Sequence, residues 1–109
     1  MSIQQWSEGI VLAVLEPEPE LGKELSSLYE EVFNKGNHVV IDFSEVDFIV
    51  AENLSKLLRV KKYLYDGGSR LILCNVSPVV RGIFTITGLA EVFEIVDDKD
   101  VALATLQIM

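Results

Sequence analysis

The sequence predicts a single α/β domain built on a largely parallel sheet. Apolar runs with strand composition alternate with segments of helical periodicity, in the order β-β-α-β-α-β-α-β-α. Strands that alternate with helices need crossover connections, which place neighbouring strands parallel and cover the sheet with helices. The length of 109 residues suits one hydrophobic core, and no repeat or linker divides the chain. Residues 1–109 are therefore predicted to form one domain.

The first elements are a hairpin and a helix. Apolar runs at residues 3–6 and 10–15 flank a Ser-Glu-Gly turn, a pattern typical of two hairpin strands. Pro17 and Pro19 then end the second strand, and Pro19 suits the first position of a helix, where its missing N–H costs nothing. The apolar positions of this helix lie at helical spacing before Gly36 and are Leu21, Leu25, Leu28, Tyr29, Val32 and Phe33.

The middle of the chain alternates strand and helix. Residues 39–43 and 71–74 have the composition of buried strands. Between them, residues 51–66 are predicted as a helix that Gly67 and Gly68 end. The positions expected on its buried side, an arc that also contains Lys61, are Leu54, Leu57, Leu58, Leu64 and Tyr65.

The last third predicts a helix, a short strand and a closing helix. Ser77 and Pro78 supply a cap and a first helical residue, and Gly88 ends that helix. A strand over residues 92–96 precedes a closing helix that begins at Asp97-Asp98. The expected buried side of the first helix is Val79, Val80, Ile83 and Phe84, and the closing helix carries Val101, Ala104, Thr105 and Ile108.

Composition narrows the function classes. Half of the residues are hydrophobic and 24% are charged, which is a globular balance. The net charge of −8 argues against a nucleic-acid partner, because such binding depends on clustered Lys and Arg. Cys74 is the single cysteine, which excludes an internal disulfide, and it is expected as a buried, inert thiol. No apolar segment approaches membrane-spanning length, so a cytoplasmic protein without membrane insertion is expected.

The chain offers no pattern for catalysis, metal or cofactor binding. The single histidine, His38, lies at the start of a strand without a second His or a Cys pair to complete a zinc site. No glycine-rich phosphate loop is present. Asp42, Glu45 and Asp47 follow one another closely, but acidic residues in a strand-to-helix loop are usually solvated. We therefore expect no enzyme and no cofactor.

The junction before the second helix is the most informative segment. Residues 50–53 read Val-Ala-Glu-Asn and offer no hydroxyl, although a helix start presents unpaired N–H groups and a positive dipole end. Basic residues concentrate on the helix that follows, and they are Lys56, Arg59, Lys61 and Lys62. A solvated helix face is the simpler interpretation. The alternative is a protein partner with an acidic contact surface, whose approach these charges steer.

Three segments together resemble STAS domains, the family of bacterial anti-sigma-factor antagonists. Residues 39–49, Val-Val-Ile-Asp-Phe-Ser-Glu-Val-Asp-Phe-Ile, are similar to the central signature of the family. Residues 70–81, Arg-Leu-Ile-Leu-Cys-Asn-Val-Ser-Pro-Val-Val-Arg, resemble its next strand, loop and helix start. Residues 87–89, Thr-Gly-Leu, followed by Val92-Phe93, resemble its next landmark. The match spans nearly the whole chain, and it implies a STAS-like sheet of four to five strands with helices packed against it and no catalysis.

The resemblance also implies a switch that this chain has lost. In the best-understood members, the loop after the Asp-Phe-Ile segment reads Asp-Ser-Ser-Gly. A kinase that is also the anti-sigma factor phosphorylates the first of those serines. Ala51 stands at that position here and has no oxygen to modify. Glu52 adds a permanent charge one residue later, and the nearby Ser44 and Ser55 are candidates for a relocated phosphosite.

The resemblance favours a regulatory protein-binding module whose partner is a serine-kinase-type anti-sigma factor or another regulatory subunit. The predicted contact residues are Ile49, Val50, Ala51, Glu52, Asn53, Ser55, Lys56 and Arg59. The altered segment Glu16-Pro-Glu-Pro-Glu20 puts the usual kinase contact in question from a second side. Two alternatives stay open. One is a permanently docked structural subunit of a larger signalling or transporter assembly, which needs no switch. The other is a small-ligand sensor, for which no residue of the sequence specifies a ligand.

Overall fold

The computed structural model describes residues 1–107 and has the order of strands and helices that the sequence predicts. The strands are β1 (Ser2–Ser7), β2 (Ile10–Val14), β3 (His38–Asp42), β4 (Leu71–Cys74) and β5 (Glu94–Val96). The helices are α1 (Leu21–Val32), α2 (Ala51–Asp66), α3 (Pro78–Ile86) and α4 (Lys99–Gln107). A short 3-10 turn over Leu89–Glu91 joins α3 to β5.

The five strands form one mixed sheet in the order β1-β2-β3-β4-β5. β1 runs antiparallel to β2, and every other neighbouring pair is parallel. The expectation of a mostly parallel sheet is therefore confirmed. Because parallel strands end at the same edge, the loops that lead into α1, α2 and α3 meet at one end of the molecule.

Helices cover both faces of the sheet. On one face, α1, α2 and α3 enclose the larger core, in which Phe43 and Phe84 are the bulkiest fully buried side chains. On the other face, α4 packs alone against alternate residues of the central strands. The residues of this second core are Ile10, Leu12, Val40, Ile72, Cys74, Ala102, Leu103 and Leu106. Burial on both faces explains why the central strands read as continuous apolar runs.

Several element boundaries differ from the sequence prediction by one or two residues, and two of these differences have a clear structural reason. α1 begins at Leu21 with Glu20 as its cap, so Pro19 precedes the helix and is not its first residue. The segment before α1 instead passes the start of α2, where the Glu18 carboxylate accepts a hydrogen bond from the Val50 backbone N–H. β5 begins at Glu94, two residues later than predicted, because the 3-10 turn runs up to Glu91 and Phe93 is buried in the larger core.

Several positions predicted as buried are exposed. Tyr65 is 72% exposed at the end of α2, whereas Val60, which the prediction left out, is fully buried in the middle of the helix. Val79 is 61% exposed, because the buried side of α3 consists of Val80 and Phe84. In α4, Val101 and Ala104 are exposed, and Ala102, Leu103 and Leu106 form the buried side. Ile108 lies outside the described residues. In α2 and α3 the pattern placed the buried face correctly but made it too wide, whereas in α4 it selected the wrong side.

Candidate protein-binding site at the mouth of helix α2

The loop between β3 and α2 is fixed by hydrogen bonds to the Asp42 carboxylate at the end of β3. The Ser44 backbone N–H donates to Asp42 Oδ1 at 2.8 Å, and the Asn75 side-chain amide donates to the same oxygen at 3.1 Å. Asp42 is only 8% exposed, so the solvated carboxylate that the sequence suggested is instead a buried anchor that joins two loops. A carboxylate bonded in this way fixes the path of the chain that leaves the strand.

Alternation of buried and exposed residues brings apolar side chains to the surface of this loop. Val46 and Ile49 are buried in the larger core. Phe48 and Val50 lie beside Ile49 in sequence and are 49% and 44% exposed. Ile49, predicted as a contact residue, is therefore a core residue at 5% exposure, and Phe48 presents the larger apolar surface.

Glu18, in the loop between β2 and α1, caps the start of α2. Val50 caps α2 in an extended conformation without a side-chain hydrogen bond. The Val50 backbone N–H instead donates to Glu18 Oε2 at 3.0 Å. The Asn53 side-chain amide donates to both oxygens of the same carboxylate, at 2.7 and 2.9 Å. A carboxylate at this position also matches the positive end of the helix dipole.

The starts of α1 and α2 interlock beneath Glu18. A Cβ atom added to Gly22 would lie 2.6 Å from Asn53 Oδ1, so only glycine allows this approach. Lys56 Nζ donates to the Gly22 carbonyl oxygen at 3.3 Å and ties the next turn of α2 to α1. Asn53, predicted as a contact residue, is 6% exposed and holds the two helices together.

A groove of about 470 Å³ opens between the two helix starts. Its walls combine apolar surface with charges of both signs. The lining residues are Glu18, Pro19, Gly22, Lys23, Phe48, Val50, Glu52, Asn53 and Lys56. An exposed apolar centre with polar residues around it is the composition of a protein-contact surface.

The structure brings most of the predicted contact residues to this end of the molecule. Ala51, Glu52, Ser55 and Arg59 are exposed along α2, and Lys56 is half-buried. The predicted contact set lacks five lining residues, which are Glu18, Pro19, Gly22, Lys23 and Phe48. A bulky apolar residue between two core positions in a loop was a readable signal for Phe48. The resemblance had drawn attention to the segment that contains Glu18, but its hydrogen bonds to Val50 and Asn53 could not be predicted, because those residues lie more than thirty positions away.

The two candidate serines and the basic cluster differ in their surroundings. Ser44 is exposed, and Ser55 is exposed with its hydroxyl donating to the Ala51 carbonyl oxygen at 3.5 Å. Among the basic residues, Lys62 pairs with Asp66 at 2.9 Å, and Lys61 lies 5.7 Å from the centre of the Tyr65 ring. These two lysines thus interact with their own helix.

His38 and Cys74 lie away from the groove, in strands of the sheet. His38 is half-buried, and its Nδ1 accepts from the Arg70 backbone N–H at 2.9 Å. Cys74 is fully buried as expected, and burial raises the pKa of its thiol to about 12. Within residues 1–107, no three His, Cys, Asp or Glu side chains are grouped as metal ligands. None of the helices in that range has the length and apolar character needed to cross a membrane.

The chain belongs to the STAS domain family, whose model matches residues 22–102. Among individual proteins, it is 29% identical over 82 residues to BtrV, a candidate anti-sigma factor antagonist of Bordetella bronchiseptica. That alignment covers 75% of this chain and 71% of BtrV. The resemblance drawn from the three sequence segments is thereby confirmed.

Solved structures show the same fold. An anti-sigma-factor antagonist (STAS) domain protein from Planctomyces limnophilus superposes with a TM-score of 0.85 at 19% identity, covering 97% of each chain. A sulfate transporter family protein from Wolinella succinogenes superposes with a TM-score of 0.82 at 18% identity, covering 96% of this chain and 90% of the other. At these identities the likeness concerns the fold alone. The predicted fold class, a single STAS-like domain with a mixed, mostly parallel sheet of four to five strands and about four helices, is confirmed by the five strands and four α-helices of the described residues.

Proposed function

We propose that this protein is a non-catalytic regulatory module of the anti-sigma-factor-antagonist type, which binds a protein partner in the cytoplasm through the groove at the start of α2. The observation that carries the proposal is the exposure of Phe48 and Val50 beside the groove, next to the exposed first turn of α2. Membership of the STAS family and the similarity to BtrV support the class of partner. That class is a serine-kinase-type anti-sigma factor or another regulatory subunit.

The proposed contact surface follows the exposed residues. It keeps Val50, Ala51, Glu52, Ser55, Lys56 and Arg59 from the sequence prediction and adds Phe48 and Lys23. Ile49 and Asn53 lie beneath this surface. Ile49 is a core residue, and the Asn53 side chain is hydrogen-bonded to Glu18. The two exposed apolar side chains provide the buried centre of the interface, and the charged residues form its rim.

A capture experiment tests the contact surface. Immobilised protein is expected to recover a kinase-like or other regulatory subunit from the native cell. Phe48→Asp should lose that partner, because the substitution places a charge at the apolar centre. Val101→Asp, an equally exposed valine on α4, should retain it. Equal recovery of the partner by both variants would mean that the contact surface lies away from the groove.

The proposed module is not switched at residue 51. Ala51 occupies the first position of α2 and is exposed, so a kinase could reach it but finds no hydroxyl. Glu18 and Glu52 place permanent negative charge around the same helix start. Partner release therefore depends on another signal, for which phosphorylation of Ser44 or Ser55 is the candidate.

Intact-mass measurement with ATP and the captured partner separates these possibilities. The native chain is expected to gain no phosphate at position 51, whereas Ala51→Ser should gain one and lose affinity for the partner. A phosphate on Ser44 or Ser55 of the native chain would show that the switch has moved. Failure of Ala51→Ser to be modified by a kinase that binds the native chain would contradict the assignment of this helix start as the kinase contact.

A second candidate function is that of a constitutive accessory subunit. The likeness to a sulfate transporter family protein is the observation that favours it, since the same fold occurs in a protein of a transporter family. An unmodifiable Ala51 suits permanent docking. Co-expression with neighbouring gene products, followed by size-exclusion chromatography with light scattering, is expected to give a stable stoichiometric complex if this function holds. A complex that forms and dissociates with phosphorylation would exclude it.

A further inference from the structure

The segment between β2 and α1 forms a strap, residues 16–20, along one wall of the groove. Its sequence is Glu-Pro-Glu-Pro-Glu. The Glu16 backbone N–H donates to Glu24 Oε1 at 2.6 Å, and the Glu20 carbonyl oxygen accepts the Glu24 backbone N–H at 3.1 Å. Both ends of the strap are therefore fixed to one residue of α1.

The middle of the strap is held by one side chain. Pro17 and Pro19 have no N–H to donate to a neighbouring element. Among the described residues, the hydrogen bonds to the middle of the strap are those that the Glu18 carboxylate accepts from Val50 and Asn53. The contact between the strap and the start of α2 therefore depends on a single carboxylate.

The start of α2 is built to hold a carboxylate. Its donors are the Val50 backbone N–H, 3.0 Å from Glu18 Oε2, and the Asn53 side-chain amide, 2.7 and 2.9 Å from the two oxygens. Asn53 is only 6% exposed, and its Oδ1 lies close to Gly22, so the amide is fixed in place. If Glu18 moved away, a buried donor would lose its acceptor, which is costly unless another acceptor replaces it. These donors and the positive end of the helix dipole favour an acidic group as the replacement.

We propose that the strap keeps the groove closed, and that an acidic side chain of the partner opens it by replacing Glu18 at the start of α2. This strap mechanism rests on the proposed function, because it needs a partner that binds at the groove. Once Glu18 has left, the charged lining residues are Lys23, Lys56 and Glu52, so the open groove carries a net positive charge. That charge favours an acidic group over a basic one. The bound Glu18 carboxylate repels the same group, so partner binding and release of the strap are coupled.

The exchange of one carboxylate for another sets the size of the expected effect. Hydrogen bonds to a partly exposed carboxylate favour the closed form over the open form by about tenfold. The apparent affinity of a partner that binds only the open form is then lowered by the fraction of molecules that are open. Glu18→Ala, which cannot occupy the donors, should therefore bind the partner about tenfold more tightly than the native protein.

Acetate tests the donors on the isolated protein, without any partner. In Glu18→Ala, sodium acetate at about 0.2 M should raise the melting temperature by about 2–4 °C relative to sodium chloride at the same concentration and neutral pH. The native protein and Glu20→Ala should show a smaller difference, because Glu18 already occupies the donors. Each protein is compared with itself, so the lower stability of Glu18→Ala does not affect the result. Equal acetate effects in the three proteins would overturn the proposal.

Titration calorimetry with the partner that the native protein captures tests the exchange itself. Glu18→Ala should bind about tenfold more tightly. Glu20→Ala removes the same charge from the strap without touching α2 and should bind as the native protein does. Unchanged or weaker binding by Glu18→Ala, while Phe48→Asp loses the partner, would overturn the strap mechanism and leave the proposed function standing. Binding that is insensitive to both Glu18→Ala and Phe48→Asp would contradict the proposed function as well.

Discussion

Glu18 performs the task that a capping side chain performs in most helices. Val50 offers no oxygen at the start of α2, and the Glu18 carboxylate accepts the Val50 N–H and both contacts from Asn53. The acceptor therefore comes from a different loop, so the start of α2 depends on tertiary structure and not only on local sequence. Charged hydrogen bonds of this kind are among the stronger polar contacts in proteins.

Glu18→Ala is expected to lower the free energy of unfolding by about 1.5 kcal/mol, the lower end of the range for hydrogen bonds to charged groups, since the residue is partly exposed. Urea denaturation measures this change. Glu20→Ala provides the control, because Glu20 makes no side-chain capping bond to α1, and its loss should change stability by less than about 0.5 kcal/mol. Equal effects of the two variants would contradict the role given to Glu18.

Gly22 and Gly82 give a matched pair of substitutions in helices. Gly22→Ala forces its methyl group against Asn53 Oδ1 and should destabilise the protein by about 1–3 kcal/mol. Gly82→Ala meets no atom within 4 Å and should stabilise α3 by about 0.5–1 kcal/mol through helix propensity. Thermal melting of the two variants should therefore shift in opposite directions. Similar shifts would mean that the α1–α2 contact can relax around an added methyl group.

At the scale of elements, the sequence pattern predicts the type and order of the five strands and four α-helices of the described residues, because periodicity and turn residues are local. The precise buried face of a helix is less predictable. Tyr65 and Val79 fit the apolar spacing, yet both are exposed, since the position of neighbouring elements decides which side is covered. The candidate site shows the same limit. The position of Ala51 at the start of α2 could be predicted from the sequence. The contact of Glu18 with that helix start arises only when the chain folds.

The contact between β4 and β5 includes an ion pair with a defined pH dependence. The Arg70 guanidinium binds the Glu94 carboxylate and lowers the pKa of that carboxyl below its ordinary value of 4.5. The folded state thus binds fewer protons than the unfolded state in this range, so the stabilisation is present above about pH 4.5 and is lost as the pH falls through the lowered pKa.

Glu94→Gln is expected to cost about 0.2–1 kcal/mol at neutral pH, the usual worth of a partly exposed pair. The difference from the native protein should become smaller in acid, below both pH 4.5 and the lowered pKa, where native Glu94 is neutral as well. Urea unfolding at the two pH values measures it. A difference that persists unchanged in acid would assign the cost to packing and not to charge.

At the scale of the molecule, Cys74 reports whether the second core is intact. It lies between the sheet and α4, with a thiol pKa of about 12, so it is neutral and shielded in the folded protein. A thiol reagent at pH 8 should modify it only through opening or unfolding.

Leu103→Ala is expected to cost about 2–5 kcal/mol and to speed this modification, because Leu103 packs in the core beside Cys74. Val101→Ala, on the exposed side of α4, should change neither quantity appreciably. Modification kinetics followed by absorbance compare the two variants. Acceleration by both would show that α4 undocks for reasons other than loss of its buried side chain.

The unequal edges of the sheet limit how this protein can assemble. β1 can accept another strand, while β5 ends after three residues beside acidic side chains. Within the described residues, the two margins of the sheet therefore differ in how readily they could pair with a further strand. A short margin beside acidic side chains disfavours open-ended addition of strands, which is one of the features that keep sheet proteins from forming fibres.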